Sequence, residues 1–320
     1  MYKKMTQFDV GTENLKIFSA TVQELAEKDE NTYVVTSDSR GSGRLVSYGE
    51  SFPDRIIEVG IAEQNLVGIA AGLASTGKIV FAVSPACFLT TRALEQIKND
   101  VAYADNPVNL IGISAGVSYG ALGSTHHATH DFAVLRAIHN MVILAPADNY
   151  ETRQAILAAT KTAHPVYIRM GKRPMEHLVD PETPFHIGKA IHIRAGNDVA
   201  LIACGETVYQ AAAAAELLSS QGIQARVISM HTIKPFDVEC VLQTARECKV
   251  MVTVEEHSIF GGLGEACASA LLQAGISLPF KIVGIPDEYT VTGKQLEIFS
   301  HYDISGEGLA KLANALLSNS

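Results

Sequence analysis

The stretch "VGIAEQNLVGIAAGLAS" (residues 59–75) reads as a buried helix, yet its first turn carries Glu63, Gln64 and Asn65. Leu66, Ile69, Ala70 and Leu73 fall on one helical face, the signature of a segment that packs against a core. Gly68 and Gly72 stand four apart. Each isolated Gly costs a helix about 1 kcal/mol against Ala, so the pair predicts close approach of another backbone. Glu63 at the head of such a helix has two readings. It is a helix-start carboxylate favoured by the macrodipole, or a buried acid with a chemical task. Spacing alone favours the first.

The flanking sequence sets this helix in an α/β frame. Short β-rich runs occur at 32–38 ("TYVVTSD"), 79–84 ("IVFAVS"), 108–114 ("VNLIGIS"), 141–147 ("MVILAPA") and 165–170 ("PVYIRM"), with helix-period segments at 94–104 and 149–163. Continuous apolar strands alternating with helices predict a parallel sheet covered on both faces. After a stretch with three prolines and two glycines ("GKRPMEHLVDPETPFHIGKA", 171–190), the alternation restarts with strands at 198–205, 224–231, 249–257 and 280–286. The fold class expected is therefore α/β in two domains, residues 1–175 and 191–320, joined by a linker at 176–190.

Composition narrows the function classes. The chain has 320 residues and a formal net charge of −9, against a nucleic-acid or anionic-membrane partner, both of which need clustered Lys and Arg. Five scattered cysteines without a C-x-x-C pair read as reduced thiols of a cytoplasmic protein. The opening "MYKKMTQFDV" has no apolar core of signal-peptide length, and the run Leu66–Ala74 is far shorter than the roughly 20 residues a membrane span takes.

Three motifs need weighing. "GLASTGKI" (72–79) approaches a phosphate loop, but Ile79 replaces the metal-binding hydroxyl, and the stretch leaves a helix for a strand, the reverse of the required context. "GGLGEA" (261–266) opens a helix after a strand without dinucleotide spacing, so its glycines read as packing residues. In "GSTHHATHD", His126 and His130 are four apart, but no companion with zinc spacing accompanies them. Polar substrate-site histidines fit His126, His127 and His130 best, because neutral imidazoles handle protons near pH 7.

Taken in order, "RIIEVGIAEQNLVGIAAGLA", "AVSPACFLTTRALEQIKNDVAY", "GALGSTHHATHDFAVLRAIHNMVILAPADNYET" and "HPVYIRMGKRP" closely resemble the C-terminal half of transketolase. The later "RVISMHTIKPFD", "VEEHSIFGGLGEA" and "GIPDEYTVTGKQLEIF" resemble the transketolase C-terminal domain. The resemblance implies a pyrimidine-binding domain for thiamine diphosphate followed by a C-terminal α/β domain. In that family a glutamate matching Glu63 hydrogen-bonds N1′ of the aminopyrimidine and favours the imino tautomer, whose 4′-nitrogen removes the thiazolium C2 proton. The task implies apolar surroundings that raise the carboxyl pKa. Phe88 matches the aromatic that packs on the aminopyrimidine, and Arg92 closes the same "ACFLTTR" stretch as a further cofactor contact. Asp38 and Ser42 in "TSDSRGS" resemble a loop placing the first near the cofactor and the second near the far end of the sugar; a plain turn is the competing reading. His126 matches a histidine that contacts substrate hydroxyls and assists proton transfer, with His127 and His130 as weaker counterparts.

Two departures stand out. No Gly-Asp-Gly signature of the family's diphosphate- and Mg²⁺-binding domain is present. The resemblance therefore implies a separate N-terminal subunit that holds Mg²⁺, in an α₂β₂ assembly, with no metal ligands expected on this chain. At the substrate end, Leu122 takes the place of an acidic residue, Ser114 or Ala115 that of a histidine, and Lys172 or Arg173 that of a displaced sugar-phosphate arginine. The lost carboxylate removes a contact worth about 1–3 kcal/mol. The expected activity is transfer of a two-carbon ketol unit from an anionic, for example phosphorylated, ketose to an aldose. The alternatives are a β subunit of a 2-oxo acid dehydrogenase or deoxyxylulose phosphate synthase type, and a non-catalytic scaffold.

Overall fold

The computed structural model describes residues 9–318, so residues 1–8 of the opening "MYKKMTQFDV" lie outside the described residues. Fourteen strands are described: β1 (Val10–Glu13), β2 (Thr32–Thr36), β3 (Ile56–Glu58), β4 (Ile79–Pro85), β5 (Val108–Ile113), β6 (Val142–Leu144), β7 (Val166–Arg169), β8 (Pro174–Glu176), β9 (Ile191–Arg194), β10 (Val199–Ala203), β11 (Ala225–Ser229), β12 (Thr232–Lys234), β13 (Val250–Ser258) and β14 (Phe280–Ile285). They form a seven-stranded sheet in the order β12-β6-β7-β5-β4-β2-β3, a five-stranded sheet in the order β14-β13-β10-β11-β9, and a β1–β8 pair. Pairings inside both large sheets are parallel except at one edge of each, where β12 and β9 run antiparallel to their neighbours. Every residue of β5 is buried, as befits a central strand covered by helices on both faces.

The two α/β units are less separate than the sequence pattern suggests. After β11 the chain crosses back and lends β12 to the edge of the first sheet, where Thr232 pairs with Leu144. The Lys234 ammonium then donates to the carbonyls of Arg136 and Ile138. One apolar cluster runs without a break from Leu66, Ala70 and Leu89 to Ile202, Met230 and Met251. Residues 177–190 hold neither helix nor strand, but they are strapped down. The Leu178 and Val179 amides both donate to the Asp148 carboxylate at 2.9 Å, and the Tyr150 hydroxyl donates to the Thr183 carbonyl.

The segment 59–75 becomes the helix Glu63–Ser75, with Leu66, Val67, Ala70, Ala71 and Ala74 buried against the sheet. A Cβ built at Gly68 or Gly72 meets nothing within 4 Å among the described residues, so the close approach expected there is not made by this chain's own backbone. Both glycines lie on the side of the helix turned away from the core. The segment 94–104 also differs, since a short turn Leu94–Gln96 passes into a π-helix Ile97–Tyr103. The wider turn buries Ile97, Val101 and Ala102 together.

The two glycine decoys find structural roles. "GLASTGKI" is a helix end leading into β4. At "GGLGEA", a Cβ on Gly264 would run into the Ile282 side chain, so only glycine lets the helix Leu263–Gln273 lie this close to the sheet. The amides of Leu263 and Gly264 donate to the Glu255 carboxylate at 2.7 and 2.8 Å. An internal carboxylate thus fills the helix terminus that a phosphate would need.

Candidate active site

Glu63 opens its helix after an open corner from β3, where Ile61 is 72% exposed, yet is itself 3% exposed, whereas Gln64 and Asn65 beside it face outward. Its surroundings are not apolar, contrary to expectation. The Arg92 guanidinium donates to Oε2 at 3.0 Å, and the Ser84 hydroxyl stands 3.5 Å from Oε1. Ser37 in turn donates to Ser84 at 2.7 Å, which ties the carboxylate to the loop after β2. One carboxylate oxygen is firmly held and the other has only a long contact.

Around Glu63 the aromatic residues form a line. The Arg92 guanidinium lies 4.2 Å over the Phe88 ring, giving one cation both a carboxylate and an aromatic face. Phe88 packs T-shaped on His126 at 5.3 Å, and His126 packs T-shaped on Tyr119 at 5.5 Å. The Lys172 ammonium sits 4.6 Å over the Tyr119 ring. Residues 63, 92, 88, 126 and 172, far apart in sequence, are thus linked side chain to side chain. Tyr119 and Ser84 escaped the sequence reading. The signal for Tyr119 was its place as the one aromatic in "YGALGSTHH"; for Ser84 it was the residue before "PACF".

Other expected site residues fare differently. Asp38 is exposed at φ 51°, its amide donating to Glu58 Oε1 at 2.5 Å, on the loop that Ser37 anchors. Ser42 is exposed and donates to the Ser39 carbonyl at 3.3 Å; no described contact joins it to the aromatic line. His127 lies apart from the aromatic line. Its ring is 2% exposed, with Nδ1 on the Thr290 hydroxyl at 2.5 Å and Nε2 on the Gly120 carbonyl at 3.0 Å, so both nitrogens hold the loop in place. His130 is half-buried, its Nε2 without a hydrogen-bond partner, and burial lowers its pKa. It belongs with Asp131 and Arg169 rather than with Phe88. Between Lys172 and Arg173 the structure discriminates, because Arg173 is committed to Glu176 at 2.6 and 3.0 Å. Leu122 is 54% exposed on the same loop.

The C-terminal domain braces this loop with buried carboxyl groups. Glu256 Oε1 accepts from the Val117 amide at 2.8 Å, and the Gln295 amide donates to both Glu206 and Glu256 at 2.8 Å. A Cβ on Gly116 or Gly171 would run into these two carboxyls, so glycine is required at both positions. Burial raises the pKa of both glutamates. Beneath them Arg169 meets Asp131 at 3.0 Å and donates to the carbonyls of Ala128 and Glu256 at 3.0 and 2.6 Å.

Residues 12–176 match the family described as transketolase, pyrimidine binding domain, and residues 188–309 the transketolase C-terminal domain. The chain belongs to the transketolase family. It is 46% identical over 299 residues to one of the subunits of an apulose-4-phosphate transketolase from Phocaeicola vulgatus, covering 93% of this chain and 95% of the relative. It is 34% identical to the 6-deoxy-6-sulfo-D-fructose transketolase subunit SqwH of a Clostridium species, covering 91% of this chain and 90% of the relative. Among solved structures, a split gene transketolase described as an inactive beta4 tetramer superposes with a TM-score of 0.87 at 33% identity, covering 96% of this chain and 99% of that one. The transketolase family depends on thiamine diphosphate, and this chain is a transketolase-type subunit in both of its domains. No described helix is long and apolar enough to cross a membrane.

Proposed function

We propose that this chain is the pyrimidine-binding and C-terminal subunit of a two-subunit transketolase that moves a two-carbon ketol unit from an anionic ketose to an aldose. The observation that carries the reading is the buried Glu63 carboxylate joined through Arg92 to the face of Phe88. Its less committed oxygen, Oε1, suits a heteroaromatic N–H, and the aromatic face beside it suits the ring bearing that N–H. The residues present therefore fit the aminopyrimidine of thiamine diphosphate. The cofactor, when bound, supplies the nucleophilic carbon that the ketol transfer needs.

The chain's own residues do the rest. Glu63 holds the proton shared with the pyrimidine N1′. Arg92 fixes the carboxylate through Oε2, Phe88 packs on the ring, and His126 at its edge takes or gives a proton at a sugar hydroxyl. Asp38 borders the cofactor, and Lys172 meets the substrate's anionic end. Ser42 lies toward the far end of the sugar and His130 at the margin of the site. Among the described residues no three His, Cys, Asp or Glu side chains gather as a metal site. We assign Mg²⁺ and the cofactor diphosphate to an N-terminal partner subunit in an α₂β₂ assembly in the cytoplasm. The naming of the apulose-4-phosphate relative as one subunit of its enzyme, and the split-gene neighbour, support a partner.

The test is Glu63→Ala in the assembled pair. Ketol transfer should collapse while folding and subunit assembly persist, because Arg92 is itself half-exposed and tolerates losing its partner. Unchanged turnover refutes the mechanism. Pyruvate decarboxylation in place of ketol transfer by the wild-type pair would favour the 2-oxo acid dehydrogenase or synthase alternatives.

A further inference from the structure

Three of the cations near the loop that carries His126 are taken. Arg92 is paired with Glu63, Arg169 with Asp131 and Arg173 with Glu176. Among the described residues no carboxylate pairs with Lys172, which is exposed. Its ammonium rests instead on the Tyr119 ring, and the same ring packs on His126. Tyr119 itself is half-buried and cannot drift. Gly120 follows it at φ 49°, with its carbonyl on His127, and the Gln295 amide reaches the Ser118 hydroxyl at 3.5 Å. A long lysine stem without a partner samples many rotamers, whereas a cation seated on an aromatic face is held at one distance.

We propose that Tyr119 is a specificity-determining residue of this site: one ring seats the Lys172 ammonium and abuts the His126 imidazole, fixing the spacing at which a tetrahedral oxyanion on the substrate is read. The inference rests on the ketol-transfer reading for the identity of the substrate, but not for the anion contact itself. Free Lys172 would attract an anion wherever its stem wandered. Held on Tyr119, it accepts one only at a ring's width from the group that handles the sugar hydroxyl. Substrates carrying a terminal phosphate or sulfonate are selected over neutral sugars, and the exposed Leu122 on the same loop offers no carboxylate to repel the anion.

Inorganic phosphate and methanesulfonate are titrated separately into the full chain carrying lysine labelled with carbon-13 at Cε, the Lys172 signal being assigned by its loss in Lys172→Met. The wild type and Tyr119→Phe should respond with the same affinity, and Tyr119→Leu about fivefold more weakly, the order expected for one exposed cation–π contact. A stronger response to one anion identifies the substrate's terminal group. In the assembled pair, Tyr119→Leu should raise KM for a phosphorylated or sulfonated ketose several-fold more than KM for a neutral ketose, and an equal rise for both overturns the proposal. Equal anion affinity in the wild type and Tyr119→Leu, or a Lys172 signal blind to both anions, overturns the proposal. A phosphate response of the expected pattern without ketol transfer supports the role of Tyr119 and overturns the ketol-transfer reading instead.

Discussion

Removing the Arg169 guanidinium should unfasten the candidate site from beneath. Arg169 is 6% exposed and Asp131 fully buried, the ionic contact between them being 3.0 Å. Arg169→Met leaves the Asp131 carboxylate with the Tyr167 hydroxyl, which donates at 2.7 Å, and the His257 imidazole 3.9 Å away, but with no guanidinium. It also strips donors from the carbonyls of Ala128 and Glu256. Breaking one side of a buried ion pair costs about 3–5 kcal/mol, because the surviving charge is left in a dry interior. That is a large share of the roughly 5–15 kcal/mol of net stability that folded domains hold. Urea denaturation followed by far-ultraviolet circular dichroism and by tyrosine fluorescence would measure the loss and test whether the two domains unfold together. In Arg169→Met/Asp131→Asn the buried charge is gone while the Tyr167 contact is kept, so more than half of the loss should return. A single-variant loss below about 1 kcal/mol refutes the reasoning, as would a double variant no better than the single one.

Burial should also shape the pH profile. Glu255 is pushed up to about 7 and Glu206 and Glu256 are raised, so their stabilising contribution is complete below the ordinary carboxylate range and is lost as pH climbs through the raised values. His231 and His257 are pushed down to about 4, so their contribution is complete above about 6.5 and fades as pH falls toward 4. The melting temperature should therefore already be falling as pH rises through neutrality, with its maximum on the acid side of 7, and Glu206→Gln should flatten the alkaline limb; an unchanged alkaline slope refutes the assignment. Arg92→Met should leave folding nearly intact but lower kcat of the assembled pair about ten- to a hundredfold, the worth of one charge-assisted bond to Glu63. A kcat equal to wild type would remove Arg92 from the site.

Much of this arrangement was legible in the sequence because the relevant signals are local. The central strands β4 and β5 read as continuous apolar runs, and Glu63 stood out as a carboxylate at the head of an apolar face. What escaped depends on pairing between distant segments. β12 is three residues long and carries no strand signature of its own; it becomes a strand only because β6 offers an open edge. His127 and His126 are neighbours of the same residue type, and nothing local says that one faces Thr290 while the other faces Phe88. The environment of Glu63 was misjudged for a related reason. Apolar spacing described the helix's own face, while Arg92 and Ser84 arrive from other elements. Gly68 and Gly72 likewise announce close packing, but nothing among the described residues lies within 4 Å of a Cβ built at either.

The C-terminal domain supplies none of the residues assigned to cofactor or substrate, yet it fixes where they stand. Thr290 holds His127, Glu256 holds the Val117 amide and Gln295 reaches Ser118, so the loop that presents Tyr119 and His126 is gripped at three points from that domain. Two of these contacts rest on buried carboxyl groups, Glu256 directly and Glu206 with Glu256 behind Gln295, and such groups cost free energy to bring out of water where an apolar contact would cost less. Hydrogen bonds to specific atoms define direction as well as proximity, and a loop that must hold an imidazole and a tyrosine in register needs direction. This accounts for glycine at 116 and 171, where any side chain would push the two glutamates off their partners. A domain that stands remote from the chemistry is thereby the part that sets its geometry.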